Sequence, residues 1–406
     1  MGKTRALSNA HVGQWMTTLD DAIVARDGET IAELMSLSNA NQIDANARKS
    51  LGQINASWKD FVEAHLNTVQ HLNNGDIVAA FHEKLNSMTL LDNIIKAQRD
   101  NMCMALMHRQ AVDLRQLAIQ ADKIDCQRKS YRPDENIEKV CEPMMALFRT
   151  CATDSRSSAE TSKRRGMIII INQLFKIYFR INKINLCKPL IRALDNQVNL
   201  FHQFSLAQQV TYRYYLGTKS LFDSNIKQAE TWLEFAFTNC HPQIYKNKRL
   251  ILIYLIPVKM LLGHMPTLLL LRHYKLMEFE PIKRAVIAGK VGDLDSALES
   301  NSAFFWKYGI YLVLEKLRII AYRNIFKKVA IAMKTHQIPI DAFLSAVRIV
   351  QPDKQVRVEE IHCILANLIY QGKIKGYISL AHQKLVVSKQ QPFPPLAEQY
   401  SGDVRL

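Results

Sequence analysis

The class this sequence predicts is all-α: a tetratricopeptide-like helical-repeat solenoid with a winged helix at its C-terminal end. Three observations predict it. Nearly every segment before residue 334 spaces its apolar side chains three and four apart. The stretch 214–240 has the small-residue spacing of two closely stacked helices. After residue 334 the order becomes helix, helix, hairpin.

Taken along the chain, residues 10–26 and 60–73 are short amphipathic helices, the second stopped by Asn74-Gly75. Residues 76–126 hold two or three more. A helix over 133–152 opens at Pro133 and places Ile137, Val140, Met144, Leu147 and Cys151 on one face. MIIIINQLFKIYFRIN, 167–182, is apolar nearly all round, which predicts a helix buried between neighbours. NLCKPLIRAL starts another after a turn at 183–185. In YYLGTKSLFDSNIKQAETWLEFAFTNC, 214–240, the small residues Gly217, Ala229 and Ala236 let two antiparallel helices approach, with Asp223-Ser224-Asn225 as the turn. LILIYLIPVKMLLGHMPTLLLL, 250–271, is too interrupted by Pro257, Lys259, His264 and Pro266 to span a membrane. It predicts two buried helices joined by GHMP. FEPIKRAVIAGKVGDLDSALE predicts a further pair.

In the winged helix, Ile340, Phe343, Leu344 and Val347 share one helical face. Ile361, Ile364, Leu365 and Leu368 share the next, which Gly372 stops. The runs KIKGYI and KLVVSK have period two and form the wing. Alternation along the first run predicts Ile374 and Ile378 inward, with Lys373, Lys375 and Tyr377 outward. The expected division is 1–205 and 206–334 for the helical repeats, 335–390 for the winged helix and 391–406 for an extended Pro-rich tail.

Charge is segregated. Residues 1–150 carry 17 Lys/Arg and 19 Asp/Glu, and residues 151–406 carry 36 and 18, so the excess of +16 lies wholly in the later part. The stretches 161–194, 235–277, 316–340 and 361–397 hold no acid. Such a field favours nucleic acid, an acidic protein or an anionic surface. Seven Cys, none in a CxxC, read as buried free thiols of a reducing compartment. The opening MGKTRALSNAHVGQW has no apolar core, so no signal peptide is expected. No GxxxxGK[ST], GxGxxG after a strand, or HExxH occurs, and the pairs His362-Cys363 and Cys240-His241 diverge on a helix. No enzyme, metal or cofactor is expected.

The blocks NQLFKIYFRINKINLCKPLIRAL, NKRLILIYLIPVKMLLGHMPT, YRNIFKKV, CILANLIYQGKIKGYIS and HQKLVVSKQQPFPP resemble the PCI domain family. Within it they resemble the branch that supplies the PCI subunit of the transcription-and-export complex 2. The likeness runs from about residue 100 to about residue 396; the first 100 residues and the tail after Pro395 match poorly. It implies a non-enzymatic subunit of a nuclear complex that couples transcription to mRNA export at nuclear pores. The implied partners are a large scaffold subunit with a PCI-like region, a small acidic subunit, and RNA or DNA, with no membrane insertion. The other reading is a PCI scaffold of a signalosome-like or translation-initiation complex that touches no nucleic acid.

Four groups of candidate residues follow. The family pattern puts basic wing residues on nucleic acid, and Lys373, Lys375, Lys384 and Lys389 stand at matching positions, with Tyr377 available to stack on a base. Arg323, Lys327, Lys328 and Lys334 could extend the phosphate track or be merely solvated; Arg323 and Lys327 are four apart on one face. Lys246, Lys248 and Arg249, with Lys163-Arg164-Arg165 upstream, could meet the acidic subunit, RNA or only water. Tyr370, Ile349 and Phe393 could make the scaffold contact or finish the domain's own core.

Overall fold

The computed structural model describes residues 14–43, 51–52, 54–127, 132–155, 161–197, 201–352 and 354–397. Residues 10–13 of the first predicted helix and 398–406 of the predicted tail lie outside them. The chain divides into two compact units, Met1–Tyr212 and Arg213–Leu406.

The first unit stacks helices α1 (Gln14–Ala25), α2 (Gly28–Leu34), α3 (Ala56–Asn73), α4 (Ile77–Ala97), α5 (Met104–Asp125), α6 (Glu135–Lys139), α7 (Cys141–Ala152), α8 (Met167–Arg180) and α9 (Cys187–Asp195). Helix α4 packs on α3, α5 and α7, and α8 packs on α5, α7 and α9. The stripe Ile137, Val140, Met144, Leu147 and Cys151 is completely buried, as its spacing predicts. Burying each of the larger members contributes about 1.5–3 kcal/mol. Helix α8 is buried on nearly every side, again as expected. Polar side chains supply the caps that the sequence pattern leaves open. Asp122 of α5 accepts from the backbone N–H of Asn136 (2.9 Å) and Ile137 (3.2 Å) at the start of α6. Buried Lys163 donates to the carbonyls of Ile95 and Lys96 at the end of α4.

Helix α10 (Leu206–Phe222) spans the border between the units. In the second unit α11 (Ile226–Asn239) returns after a turn in which Ser224 is left-handed, with φ 64°. Gly217 does what its position predicts: a Cβ there would lie 2.7 Å from Cγ of Leu233 on α11, so only glycine permits this approach. Helix α12 (Tyr245–Leu261) carries Pro257 within it and is buried along 251–258. It is followed by α13 (Leu268–His273). The expected second buried helix is therefore a six-residue turn of helix with only Leu271 buried, and Leu269 is 80% exposed. Helices α14 (Phe279–Ala288) and α15 (Val291–Ser300) form the next pair and pack on α18. Short helices α16 (Ser302–Lys307) and α17 (Tyr311–Glu315) precede α18 (Leu317–Met333).

Then come β1 (Gln337–Pro339), α19 (Ile340–Val350), α20 (Val358–Tyr370), β2 (Gly376–Ser379) and β3 (Lys384–Val387). The three strands form an antiparallel sheet in the order β1-β3-β2, with β3 central. The sequence pattern does not predict β1, because three residues are too few for a period of two to show. The winged helix is not a separate body: α18 packs on both α19 and α20. The predicted segments 206–334, 335–390 and the described part of the tail mostly fall together in the second unit.

Candidate nucleic-acid interface

The wing is built from the end of α20 outward. Gly372 is left-handed, with φ 68°. The Lys373 N–H donates to Leu368 O at 2.8 Å and the Gly372 N–H to Ile369 O at 2.9 Å, the paired bonds of a Schellman stop. This turn carries the chain through residues 373–375 before β2 begins at Gly376. Side-chain alternation therefore has no hold on Lys373, and the expectation that it faces outward fails. Lys373 is 5% exposed and Ile374 beside it 1%. Burial, then the neighbouring Arg323 guanidinium, lowers the Lys373 pKa.

From Gly376 on, alternation holds. Register pairs Ile338, Leu385 and Ile378 across the sheet, with the first two wholly buried and Ile378 half-buried. The next row, Gln337, Val386 and Tyr377, lies on the outer face, where Tyr377 is 63% exposed. Lys384 stands on that face between Pro339 and Ser379. Lys375 and Lys389 are exposed at the other end of the strands, joined through Ser388 N–H to Lys375 O at 2.8 Å. The turn at 380–383 is held by Gln383, whose Oε1 lies 3.0 Å from Nε2 of His362 on α20 and whose carbonyl accepts from Ile340 N–H.

A groove of about 420 Å³ opens where the sheet meets the end of α18. Lys327, Lys334, His336 and Lys389 are among its polar lining residues, and Ile331, Pro392 and Phe393 are among its apolar members. Among the described residues no ion pair engages Lys327, Lys328, Lys334, Lys375, Lys384 or Lys389. In the first unit, by contrast, Lys96, Arg132, Lys139, Arg180 and Lys183 all meet carboxylates. Lys327 and Lys328 are exposed, and Lys328 Nζ also donates to Ala288 O at 2.7 Å.

Arg323 departs from its expected role. It is 6% exposed, and its guanidinium donates to the carbonyls of Phe393 and Pro394 and lies 5.9 Å from the Phe393 ring centre. Burial lowers its pKa. It shares a helix face with Lys327, but the returning segment 391–397 covers it and leaves Lys327 open. Phe393, a member of this strap, is half-buried, while Tyr370 and Ile349 are 73% and 79% exposed.

The third basic group also serves the fold. Lys248 Nζ donates to Phe237 O at 3.1 Å and lies 4.7 Å from the Phe237 ring centre. Arg249 donates to the carbonyls of Tyr274 and Lys275. Of the three, only Lys246 has an exposed side chain. Lys163 upstream is buried as described. Of the cysteines, four are buried, Cys141 is half-buried, and Cys126 and Cys363 are exposed, against the expectation of buried thiols.

A separate cleft of about 1040 Å³ in the first unit is mixed in charge, with Glu29, Glu33, His108, Arg109 and Arg165 in its lining. Arg109 is engaged by Ser38 and Asp113, and Arg165 by Gln203 O. Among the described residues no three His, Cys, Asp or Glu side chains gather as metal ligands, and no helix is long and apolar enough to cross a membrane.

Stacked helix pairs closed by a winged helix define a PCI-type scaffold protein, and the PCI domain profile matches residues 298–389. The chain is 44% identical over 400 residues to PCI domain-containing protein 2 of Xenopus laevis, covering 96% of this chain and 99% of that protein. It is 45% identical to the protein of the same name from Danio rerio, with the same coverage. It is 44% identical to the Drosophila melanogaster homolog, over 91% of this chain and 95% of the other. The chain belongs to the PCI domain-containing protein 2 family. Coverage of 96% also corrects the expectation that the first 100 residues match poorly.

Proposed function

We propose that this PCI scaffold subunit is non-enzymatic and serves a nuclear, transcription-coupled mRNA-export assembly of the complex 2 type, at nuclear pores. In that role it binds a large PCI-containing scaffold subunit and a small acidic subunit, and offers the wing and adjoining groove to RNA or DNA. The observation that carries the nucleic-acid part is the set of exposed cations Lys327, Lys334, Lys375 and Lys389, joined by half-buried Lys384, with no ion pair to a carboxylate among the described residues. Unpaired surface cations gain most by releasing the counterions of a polyphosphate. Lys246 and the exposed apolar side chains Tyr370 and Ile349 are the remaining candidates for protein contact.

Affinity capture of the full chain from nuclei, with identification of bound proteins, tests the assembly. Recovery of a large PCI-containing scaffold and a very small acidic subunit supports it. Recovery of signalosome or translation-initiation subunits in their place overturns it. For the nucleic-acid part, Lys384→Glu with Lys389→Glu is expected to weaken RNA binding and to lower the salt slope by roughly 0.7–0.9 per lost phosphate contact. An unchanged slope removes the wing from the interface.

A further inference from the structure

The two faces of the winged helix differ in charge in a way that bears on the form of the nucleic acid. In a helix-turn-helix the N-terminal residues of the second helix enter the major groove of a duplex. Here that helix is α20, and its exposed positions are Glu359, Glu360, Cys363, Ala366, Asn367 and Tyr370. None is a cation, and the two carboxylates occupy the first turn, where the helix dipole favours them. Lys354 and Arg357 of the preceding loop do no more than balance them. Duplex phosphates on either side of a groove would meet a neutral-to-acidic ridge.

The sheet and groove offer the opposite. Between 361 and 397 and between 316 and 340 there is no carboxylate in the sequence. The outer row of the sheet presents Tyr377 beside Val386, and β3 runs from Lys384 directly into the groove at Lys389. Just before the neighbouring strand β1, His336 O accepts from Val387 N–H, so His336 joins the same groove to the sheet. An exposed ring followed by a cation-lined trough is the arrangement that holds unpaired strands, whose bases have free faces to stack. A duplex presents no such face along its length.

Resting on the reading that this surface binds nucleic acid, we infer that its ligand is a single strand, with a base stacked on Tyr377 and the backbone running past Lys384 and Lys389 into the groove at Lys327 and Lys334. The α20 face takes no part.

Fluorescence anisotropy of the full chain with labelled 20-nucleotide oligo(U), oligo(dT) and a 20-base-pair DNA duplex, at one salt concentration, tests this. Both single strands are expected to bind at least about tenfold more tightly than the duplex. Tyr377→Ala is expected to weaken single-strand binding about tenfold, Tyr377→Phe to preserve it, and Glu359→Gln with Glu360→Gln to leave it unchanged. Because Tyr377 is 63% exposed, its loss leaves the core intact. Equal or tighter duplex binding, or full single-strand affinity in Tyr377→Ala, overturns the inference while leaving the nucleic-acid reading in place. Absence of binding to all three probes overturns both.

Discussion

Arg323 Nη2 donates to the Pro394 carbonyl at 2.7 Å, joining α18 to a segment 71 residues further along the chain. A second bond reaches Phe393 O at 3.2 Å, and Leu396 packs 3.2 Å from the position a Cβ would take on Gly263. The strap is thus held by two residues it does not neighbour in sequence, the Arg323 side chain and Gly263. Charge-assisted bonds of this kind contribute about 1.5–3 kcal/mol. Arg323→Ala is expected to lower stability by about that much and to speed hydrogen exchange of amides in 391–397. Arg323→Lys should recover only part, because an ammonium cannot reproduce the fork. If Arg323→Ala instead cut the salt slope of RNA binding and left exchange unchanged, the side chain would be a phosphate ligand after all.

Gly217 gives a prediction of opposite origin. Replacing a mid-helix glycine normally stabilises the helix by about 1 kcal/mol. Here any side chain strikes Leu233, and overpacking costs about 1–3 kcal/mol, more for a β-branched group. Gly217→Val is expected to lower the urea midpoint of the second unit; a rise would mean that α10 and α11 can part without loss.

Two buried bases in the first unit set its pH response. His65 is completely buried and stacks on Trp15 at 6.4 Å, and neither ring nitrogen has a hydrogen-bond partner among the described residues. Burial, then Lys84, pushes its pKa well below 6.5. Below pH 6.5 the unfolded chain therefore takes up the proton first, and stability falls as pH falls. Lys84, bonded to Gln110, is brought down to about 8 by burial, opposed by Asp113. Between about 8 and 10.5 the folded form sheds its proton first, so stability rises with pH across that window. Urea unfolding at pH 7.5 and 5.0 should show a loss that His65→Phe reduces. An equal loss in both proteins would place the acid response elsewhere.

Thiol chemistry should separate the cysteines. Burial raises Cys103 and Cys151 to about 12, while Cys126 and Cys363 are exposed. Iodoacetamide at pH 8 is expected to label Cys126 and Cys363 in the folded protein and the others only in urea, as read by peptide mapping. Early labelling of Cys151 would show that the α7 stripe opens readily.

What could be read from the sequence was what repeats. The stripe from Ile137 to Cys151, the approach at Gly217 and the stop at Gly372 each follow from a local rule about spacing or backbone. The roles of Lys373 and Arg323 did not, because each depends on a segment distant in sequence or on the residue at which a strand begins. The strand that imposes the period in KIKGYI begins only at Gly376, so alternation puts its first lysine, Lys373, on the wrong side. Leu268 and Leu269 show the same limit: an apolar run reports burial only when a neighbour exists to cover it.

The strap also bears on where this protein can be cut. A piece excised to the borders of the PCI match, 298–389, would omit Pro392–Leu396, along with Gly263 and α14, on which α18 packs. Its Arg323 would keep a guanidinium stripped of both carbonyls, and the apolar side of α18 would lie open to water. Such a piece is expected to aggregate where one beginning at Arg213 and reaching at least Glu398 stays dispersed, so poor behaviour of the shorter piece would say nothing against the family assignment.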